Sequence, residues 1–587
     1  MKKSYRWTIS KITDENQAIN LAKEINVPIT IAKILISRGI TTYNQAKEFF
    51  RPQISNLHNP LLLEGIPQAV ERIIKAIETK ERILIFGDYD VDGTASAAML
   101  HLYLNQVGVQ NLIHIPNRIQ EGYGISTLGI DKGKAFGASL IIAIDCGITA
   151  IEQVEYARSL GMDVIICDHH EPGEKLPNAY AVLDPLIPNS KYPFKHHCGC
   201  GVGFKLLQAI EKKRGKEKIV DSFIDFVTLA TTADIVPLIG ENRVLTKIGL
   251  NQINSNPRPG IRALAEISGI ELGKISTGQI VFVLAPRINA VGRMGDAQRA
   301  VQLLTSQDQE TASQLAQILE EENRNRRKID EDTFLKAQEL VENYIDVESD
   351  PAIVLHHEEW HPGVIGIVAS RLVEKYYRPT IMMTTVDGVA KGSARSIVGF
   401  DIYQALKLVE DKLLQFGGHK YAAGLAIELN RIDEFREAFN EAVNKLLPEE
   451  IRTPEIKIDA EISLGELKPR FLKILREFAP YGPSNMRPVF LARNVEAVSD
   501  PKIVGKDHLR FRVRQDKFTL DAIGFGLGSL IDDVRNNGKN LDLVFSVDEH
   551  EVIVAGSETA ESFPQLKIKD IRKHTMDNTI EINNNAN

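Results

Sequence analysis

Acidic and imidazole side chains recur in this sequence directly after short apolar runs. Three such runs are each followed at once by residues able to bind a cation: Arg82–Phe86 by Asp88-Tyr-Asp90-Val-Asp92, Leu140–Ile144 by Asp145, and Asp163–Cys167 by Asp168-His169-His170. In open α/β sheets, ligands bind beyond the carboxyl ends of the strands. If the three runs are parallel strands, their polar residues meet at a single edge.

Bringing several carboxylates to one place costs free energy unless cations offset their charge. Oxygen ligands with one or two imidazoles suit Mn²⁺ or Mg²⁺, whereas a closed zinc site favours thiolates. Asp234, which ends the run Thr231–Asp234, follows an apolar helical stretch and could complete the set. Any one of these aspartates could instead cap a helix or form a turn. Their joint occurrence at predicted strand ends favours a metal site.

The elements around these residues predict an α/β catalytic domain over residues 67–295. Helical stretches such as Ala95–Leu104 and Ile151–Leu160 separate the apolar runs, and this alternation is typical of a parallel sheet covered by helices. Residues 1–66 precede it with short amphipathic segments, Asn16–Ile25 and Ile31–Arg38 among them. We interpret them as an N-terminal helical appendage.

Beyond the first sheet, the sequence predicts a multidomain α/β protein with a small barrel. Neither Gly nor Pro occurs between Asp296 and Asp350, which predicts a connector helix over 296–350, with Gln309–Ile345 as its strongest part. A second α/β domain is expected over 351–447. Alternating runs then predict a small antiparallel barrel of the OB type over 455–560. The polar tail 573–587 is expected to be disordered.

Composition excludes several classes of protein. The chain has 587 residues, 43% apolar and 25% charged, as expected for globular protein with several cores. No apolar stretch is long enough to predict a membrane span, and four cysteines are too few for a secreted disulfide framework, so we expect a cytoplasmic protein with reduced thiols. A net charge of −8 argues against a protein that coats duplex nucleic acid, but not against a nucleic-acid enzyme.

Two weaker signals have ordinary structural explanations. The run Lys195–Cys200 could suggest zinc, yet it lacks a second ligand pair, and a Gly-rich loop that enters a helix explains it better. Tyr123 and Trp360 could stack on bases, although aromatic residues in such positions are as often part of a core.

The motifs DYDVDG, DCG, DHH and TTAD occur in this order, and the chain resembles the DHH phosphoesterase superfamily. The resemblance continues through five further motifs: Pro116-Asn-Arg118 with Gly122–Gly124, Ala285–Asn289 with Gly292-Arg293, Trp360–Gly366, Gly392–Ser396, and Phe416–His419. It spans about residues 20–555 and is greatest to the branch of exonucleases that act on single-stranded DNA.

The resemblance implies a site with two divalent cations, Mn²⁺ or Mg²⁺. The metal-binding residues it implies are Asp88, Asp90, Asp92, Asp145, His169 and Asp234. Asp145 would bridge the ions, while Asp88 and His170 would support them closely. Members that act on small substrates often carry a His two residues before Asp88, where this chain has Phe86. This departure fits the exonuclease branch and leaves the complete ligand set of one ion open.

Further residues acquire roles from the same resemblance. Candidates for stabilising charge on the reacting phosphate are His170, Arg293 and His419, and those for a pocket that holds a 5′-phosphate are Arg118, Ser393 and Arg395. The pocket residues come from two different α/β domains, so the substrate would lie in the cleft between them.

The implied activity is stepwise hydrolysis of single-stranded DNA from its 5′ end, in recombination and repair. The barrel would grip the strand, and the suggested partners are single-stranded DNA, a single-strand-binding protein and a helicase. One alternative is a hydrolase of small phosphates such as short oligonucleotides, cyclic dinucleotides or pyrophosphate. Another is a catalytically inactive nucleic-acid-binding scaffold, which the retention of all the acidic residues disfavours.

Overall fold

The computed structural model describes residues 4–10, 14–118, 120–347, 349–553, 560–575 and 581–583. They form two compact units. The parallel-sheet unit comprises Lys47–Arg327 and Ala479–Met486, and the barrel-containing unit comprises Met1–Ala46, Lys328–Phe478 and Arg487–Asn587 as far as they are described. Within the described ranges, no helix is both long and apolar enough to cross a membrane.

A five-stranded parallel sheet forms the centre of the parallel-sheet unit. In spatial order its strands are Asn111–His114, Arg82–Gly87, Ala138–Ile144, Asp163–Cys167 and Ala181–Leu183. The three central strands confirm the sequence prediction, and they are apolar along almost their whole length because helices cover both faces. The two edge strands, Asn111–His114 and Ala181–Leu183, are too short to give a sequence signal.

Helices surround this sheet, as the sequence predicts. The α-helices of eight residues or more within the unit are Ile66–Thr79, Val91–Gln106, Thr127–Phe136, Ile151–Ser159, Gly199–Arg214, Ile224–Ala233, Gly240–Ser255, Pro259–Ile267, Ala285–Met294 and Gln298–Thr305. A shorter helix, Thr277–Gln279, precedes a π-helical turn over Ile280–Leu284. The predicted connector is real but shorter than 296–350, since Gln309–Tyr344 is one helix and Gln298–Thr305 is separate.

A mixed sheet organises the first half of the barrel-containing unit. Its strands, in spatial order, are Gln415–His419, Ala422–Glu428, Val389–Arg395, Thr380–Val386 and Ile353–His356. Only the last two pair in parallel. The helices Ile365–Tyr376, Ile402–Lys407 and Ile432–Leu446 belong to the same region. A second α/β domain is therefore present where the sequence predicts one.

Five strands close into a small barrel near the C-terminus. They are Phe490–Ala497, His508–Gln515, Phe518–Gly524, Leu541–Ile553 and Ala560–Lys573, and the first pairs with both the second and the fourth. Two predictions need correction. The barrel is not wholly antiparallel, because Phe518–Gly524 and Ala560–Lys573 run parallel, and its last strand extends beyond residue 560 to Lys573. Smaller elements around it are Ala460–Glu461, Pro469–Arg476, Lys502–Val504 and Ile531–Asn537.

The N-terminal region contains the predicted helices and, in addition, a strand that the sequence does not predict. Helices are present at Glu15–Glu24, Ile29–Ser37 and Tyr43–Phe50, but Arg6–Ser10 is a strand between Glu455–Ile458 and Glu581–Asn583. Trp7 is buried and donates a hydrogen bond of 2.8 Å from Nε1 to Asp570. Five residues are too few to show a strand period, so only the distant partners reveal this strand.

The predicted disordered tail also needs correction. Glu581–Asn583 forms a strand with Arg6–Ser10, because backbone pairing does not depend on apolar side chains. Residues 576–580 and 584–587 of the predicted tail lie outside the described residues.

Candidate metal centre

The three aspartates after the first central strand lie where that strand turns into a helix. Strand Arg82–Gly87 ends one residue before Asp88, and helix Val91–Gln106 begins after Asp90. Asp90 caps the helix, since its Oδ1 accepts a 3.0 Å hydrogen bond from the Gly93 amide. The Val91 amide donates to Asn289 Oδ1 at 3.0 Å. This turn is therefore fixed from within and by a second helix.

Asp92 is buried against the N-terminus of another helix. Its Oδ2 accepts a hydrogen bond from the Gly199 amide at 2.6 Å and its Oδ1 accepts one from the Cys200 amide at 2.8 Å. Those amides begin the helix Gly199–Arg214, so the predicted Gly-rich loop into a helix is confirmed. A Cβ at Gly199 would come within 2.5 Å of Asp145 Cβ, so only glycine permits this approach.

Asp168 holds the two other segments that contribute side chains to the site, the loop that begins at Asp145 and the pair His169 and His170. Its Oδ1 accepts the His169 amide at 2.8 Å and lies 2.7 Å from His170 Nδ1, while its Oδ2 accepts the Ile148 amide at 2.9 Å. The Asp145 amide donates to Cys167 O at 2.9 Å, and Asp145 has the left-handed backbone angle φ +62°. Asp168 thus connects the loop after Asp145 to the histidine pair.

Seven side chains supply atoms that could hold metal ions. Three sets have ligand atoms within 4.8 Å of one another: Asp88, Asp90 and Asp145; Asp145, His169 and His170; and Asp92, His169 and Asp234. All six residues that the sequence predicts as metal ligands belong to these sets, although their ligand role stays a prediction. Asp88 Oδ1 and Asp145 Oδ1 are buried and accept no hydrogen bond from the described residues, since His169 Nε2, although 3.1 Å from Asp145 Oδ1, is not aligned to donate one. Two such carboxylate oxygens fit a cation that supplies the missing partner.

The pKa shifts of these residues also favour a cation-binding site. Burial, followed by the charge of neighbouring carboxylates, raises the pKa of Asp88, Asp145 and Asp234 well above the ordinary range. Burial also opposes ionisation of His170, but its hydrogen bond with Asp168 and nearby negative charge outweigh burial and raise its pKa to about 9. Excess negative charge is therefore concentrated at this sheet edge, where cations would offset it.

Two predicted arginines lie around Tyr89, within the same unit. The Arg118 Cζ is 5.2 Å from the centre of the Tyr89 ring. Burial and the charge of Asp88 raise the pKa of Tyr89 to about 12, and the charges of Arg118 and Arg293 oppose this rise. Tyr123 is 51% exposed, and its hydroxyl lies 3.3 Å from His170. It remains available for stacking on a base.

Three predicted residues lie in the barrel-containing unit, on its mixed sheet. Arg395 Nη1 donates to Ser393 Oγ at 2.9 Å. Arg395 and His419 both stand opposite Ala422, one on each side, so the strands bring them to the same level and face of the sheet. Trp360 is only 4% exposed and stacks on His357, so of the two alternatives left open for Trp360 the structure supports a place in the core.

The fold and the site together define a DHH-type protein. The model of the DHH family N-terminal domain matches residues 82–231, which include every residue of this cluster except Asp234. The DHHA1 domain model matches residues 349–445, and the RecJ OB domain model matches residues 458–570.

Comparison with individual relatives shows which family within the DHH class this chain belongs to. The single-stranded-DNA-specific exonuclease RecJ of Bacillus subtilis is 35% identical over 571 residues, which cover 96% of this chain and 70% of the relative. RecJ of Thermus thermophilus, solved in complex with Mn²⁺, aligns with a TM-score of 0.83 at 28% identity, covering 99% of this chain and 81% of its own. The same protein in complex with Mg²⁺ gives a TM-score of 0.77 at 27% identity, covering 97% and 79%. The chain belongs to the RecJ family.

Sequence reasoning missed the residues that hold the cluster in place. The motif Asp168-His169-His170 does not by itself predict a role for Asp168, although its carboxylate bonds the loops that carry both histidines and Asp145. Its position directly after a strand was the available signal. Asn289 lies in a motif of the resemblance and Gly199 in the Gly-rich run, but neither pattern predicts their contacts, which cross about 198 and 54 positions of sequence.

We expect His170 to stabilise the metal-free protein in a pH-dependent manner. Its pKa is higher in the folded state than the ordinary 6.5, so its contribution is complete below pH 6.5 and is lost as pH rises through about 9. In thermal unfolding with a chelator at pH 6.5, the Tm of wild type should be higher than the Tm of His170→Gln. The expected difference is about 2–4 °C for each kcal/mol that His170 contributes to the free energy of unfolding. The two should converge above pH 9, and a constant difference across this range would contradict the assignment.

Proposed function

We propose that this protein is a metal-dependent exonuclease that hydrolyses single-stranded DNA from its 5′ end in recombination and repair. The observation that carries the proposal is the cluster of carboxylates with two orphaned, buried oxygens, on Asp88 and Asp145. The names of the relatives and the Mn²⁺ and Mg²⁺ complexes of the Thermus protein support this reading.

Two divalent cations, Mn²⁺ or Mg²⁺, fit the residues of the cluster. In our assignment Asp88, Asp90 and Asp145 hold one ion, Asp92, His169 and Asp234 hold the other, and Asp145 reaches towards both. His169 Nε2 lies 3.1 Å from Asp145 Oδ1 and 3.7 Å from carboxylate oxygens of both Asp92 and Asp234, which supports a shared site. Bound cations of this kind activate water, orient the scissile phosphate and stabilise the leaving oxygen.

The protein's own residues orient the phosphate and supply positive charge. Asp168 fixes the His170 ring and keeps it protonated near neutral pH, so His170 can donate a hydrogen bond to a phosphate oxygen. Arg293 adds a cation that cannot lose its proton. His419 is the third candidate, supported by its exposure and its alignment with Arg395 on one sheet face.

A pocket for the terminal 5′-phosphate would set the polarity. Ser393 and Arg395 lie beside the first turn of the helix Ile365–Tyr376, where backbone amides favour anions. A Cβ at Gly366 would come within 2.8 Å of Ser393 Oγ and 2.9 Å of Arg395 Nη2, so the glycine lets both side chains approach this turn. Arg118 is the third residue that we propose for binding the terminal phosphate.

The barrel offers a surface for the strand beyond the cleaved end. Arg510, Arg512 and Arg514 alternate along His508–Gln515 and are all exposed, so they share its outer face. Phe525 is 55% exposed, and its ring centre lies 5.0 Å from that of His508. Alternating cations beside an exposed aromatic ring suit a single strand, since phosphates bind the cations and bases stack on the ring.

Compartment, partners and domain division complete the proposal. All four cysteines are free and buried, as expected of a cytoplasmic protein: Cys146, Cys167, Cys198 and Cys200.

An enzyme that acts only on single strands needs the two strands of a duplex to be separated and kept apart, which favours a helicase and a single-strand-binding protein as partners. We propose residues 67–295 as the catalytic domain and 351–447 as the DHH-associated domain.

The two alternatives are disfavoured by particular features. A hydrolase of small phosphates would have no use for the basic outer face of the barrel, and a catalytically inactive scaffold would not need to keep seven metal-binding side chains together.

Truncation of the chain at Leu447 would not distinguish the proposed exonuclease cleanly from these two alternatives. It would remove Ala479–Met486, which packs in the parallel-sheet unit and whose backbone oxygens accept hydrogen bonds from Arg243 and Thr277.

Asp145→Asn should abolish hydrolysis while preserving the fold. Loss of even an outer-shell partner of a metal ligand costs about 10–100-fold, so loss of a shared ligand should lower kcat by about 100-fold or more. Release of nucleotides is measured from single-stranded and duplex DNA labelled at either end, with Mn²⁺, Mg²⁺ or chelator.

Asp131→Asn provides the control, because this exposed carboxylate accepts its hydrogen bond from Tyr156 and belongs to none of the candidate metal sets. Metal-independent cleavage, or release from 3′ ends, would refute the proposal. Turnover of dinucleotides or pyrophosphate without cleavage of long DNA would move the protein to the small-substrate branch.

Arg395→Gln should reduce the preference for a 5′-phosphate. Hydrogen bonds to charged groups contribute about 1.5–3 kcal/mol, so the ratio of kcat/KM for 5′-phosphoryl over 5′-hydroxyl DNA should fall about 10–100-fold. Arg371→Gln is the matched control on helix Ile365–Tyr376, since Arg371 pairs with Asp330 and Glu331 away from the first turn. An unchanged ratio in Arg395→Gln would remove Arg395 from the pocket.

Arg510→Ala should weaken the binding of single-stranded DNA. It should also make that binding less dependent on salt concentration. Loss of one phosphate contact lowers the slope of log K against log salt by about 0.7. Anisotropy titrations with labelled DNA in the Asp145→Asn background measure binding without hydrolysis. Arg535→Ala, which removes an exposed arginine paired with Asp500 elsewhere on the barrel, should leave the slope unchanged. Equal slopes for both variants would exclude the proposed face.

A further inference from the structure

A buried polar cluster centred on Glu241 lies in the parallel-sheet unit. Glu241 is 2% exposed, and its carboxylate accepts hydrogen bonds from Tyr192 Oη at 2.5 Å, Lys205 Nζ at 2.9 Å and the His58 amide at 2.8 Å. His197 Nε2 also lies 2.9 Å away. Both Glu241 and Lys205 are charged groups removed from water.

Such a cluster is weak evidence for stability. Desolvation of a buried ion pair can exceed its Coulombic gain, and apolar residues of similar volume are often as stable. Buried hydrogen bonds do, however, fix the geometry of the segments that they join. The informative question is therefore which segments this cluster holds.

One segment held by the cluster leads directly to Asp92. His197 precedes Gly199 by two residues, and Lys205 lies on the helix Gly199–Arg214 that begins there. The amides of Gly199 and Cys200 are the donors that clamp the two oxygens of Asp92. Glu241 therefore anchors the donors of Asp92 from both sides.

The neighbouring residue, Asn242, connects the same region to Asp234. Its Nδ2 donates to His196 O at 2.5 Å and to Pro237 O at 3.0 Å. Pro237 follows Asp234 by three residues. Two adjacent residues at the start of helix Gly240–Ser255 thus hold the backbone near both Asp92 and Asp234.

Asp92 and Asp234 belong, with His169, to one of the candidate metal sets. The set of Asp88, Asp90 and Asp145 is held differently, by the Gly93 amide on Asp90 and by Asp145's own amide on Cys167 O. A disturbance at Glu241 and Asn242 should therefore affect one set more than the other.

We propose that Glu241 and Asn242 are positioning residues that set the affinity of the Asp92–His169–Asp234 site for its divalent cation. The inference rests on the proposed function, since it assumes two cation sites. It adds that different residues support the two sites, so that loss of the Glu241 and Asn242 contacts should weaken the Asp92–His169–Asp234 site more than the site of Asp88, Asp90 and Asp145.

The test is a calorimetric titration of Mn²⁺ into the full-length, chelator-treated protein without DNA. Wild type should bind two ions. Glu241→Gln should weaken one of them by about 10–100-fold, the usual effect of an outer-shell change, and weaken the other less. Asn242→Leu should do the same without changing any charge, and it decides the question if Glu241→Gln does not fold.

Glu211→Gln is the matched control. Glu211 is fully buried and accepts hydrogen bonds from Tyr103 Oη at 2.7 Å and from Arg214 at 2.6 Å. It lies on the same helix as Lys205, twelve residues and about 18 Å beyond Gly199. Both of its Mn²⁺ constants should equal those of wild type.

A second measurement distinguishes a positioning role of Glu241 and Asn242 from general destabilisation of the site. In Glu241→Gln and Asn242→Leu, the Mn²⁺ concentration for half-maximal cleavage of single strands should rise about 10–100-fold, with kcat at saturating Mn²⁺ and KM for DNA retained. Constants equal to wild type, or equal weakening of both sites in Glu241→Gln and Asn242→Leu, would overturn the proposal. Absence of Mn²⁺ binding by wild type would instead refute the proposed function.

Discussion

The structure depends on one electrostatic constraint, the crowding of carboxylates at the carboxyl edge of a buried parallel sheet. Burial and mutual repulsion raise the pKa of Asp88, Asp145 and Asp234, so these groups cannot all ionise without compensating charge. Backbone amides of Gly199 and Cys200 compensate Asp92 in part. The remaining deficit is what makes this edge a site for divalent cations.

Much of the parallel-sheet unit serves to hold this unfavourable arrangement in place. Asp168 ties the histidine pair to the loop after Asp145, and Asn289 fixes the turn that carries Asp90. Glu241 and Asn242 secure the donors of Asp92 and the segment after Asp234. Each support approaches from a different element, so metal affinity and the stability of the fold are coupled.

Substrate recognition has a different physical basis from the chemistry at the sheet edge. The proposed phosphate pocket combines a guanidinium, a hydroxyl and the first turn of a helix, all of which are suited to a single terminal anion. The barrel instead presents alternating cations and an exposed aromatic ring, which suit any sequence of bases. This division fits an enzyme that recognises an end and a single strand but no particular sequence.

The sequence by itself determined the central strands, the long helix Gln309–Tyr344 and the membership of the acidic cluster, because apolar runs and helix formers act locally and the motifs are short. Tertiary structure decided the strand Arg6–Ser10, whose partners lie more than 400 positions away, and the parallel pairing that closes the barrel. It also decided the roles of Asp168, Gly199 and Glu241. Their importance comes from contacts with distant backbone, and such contacts leave no periodic or local pattern in a sequence.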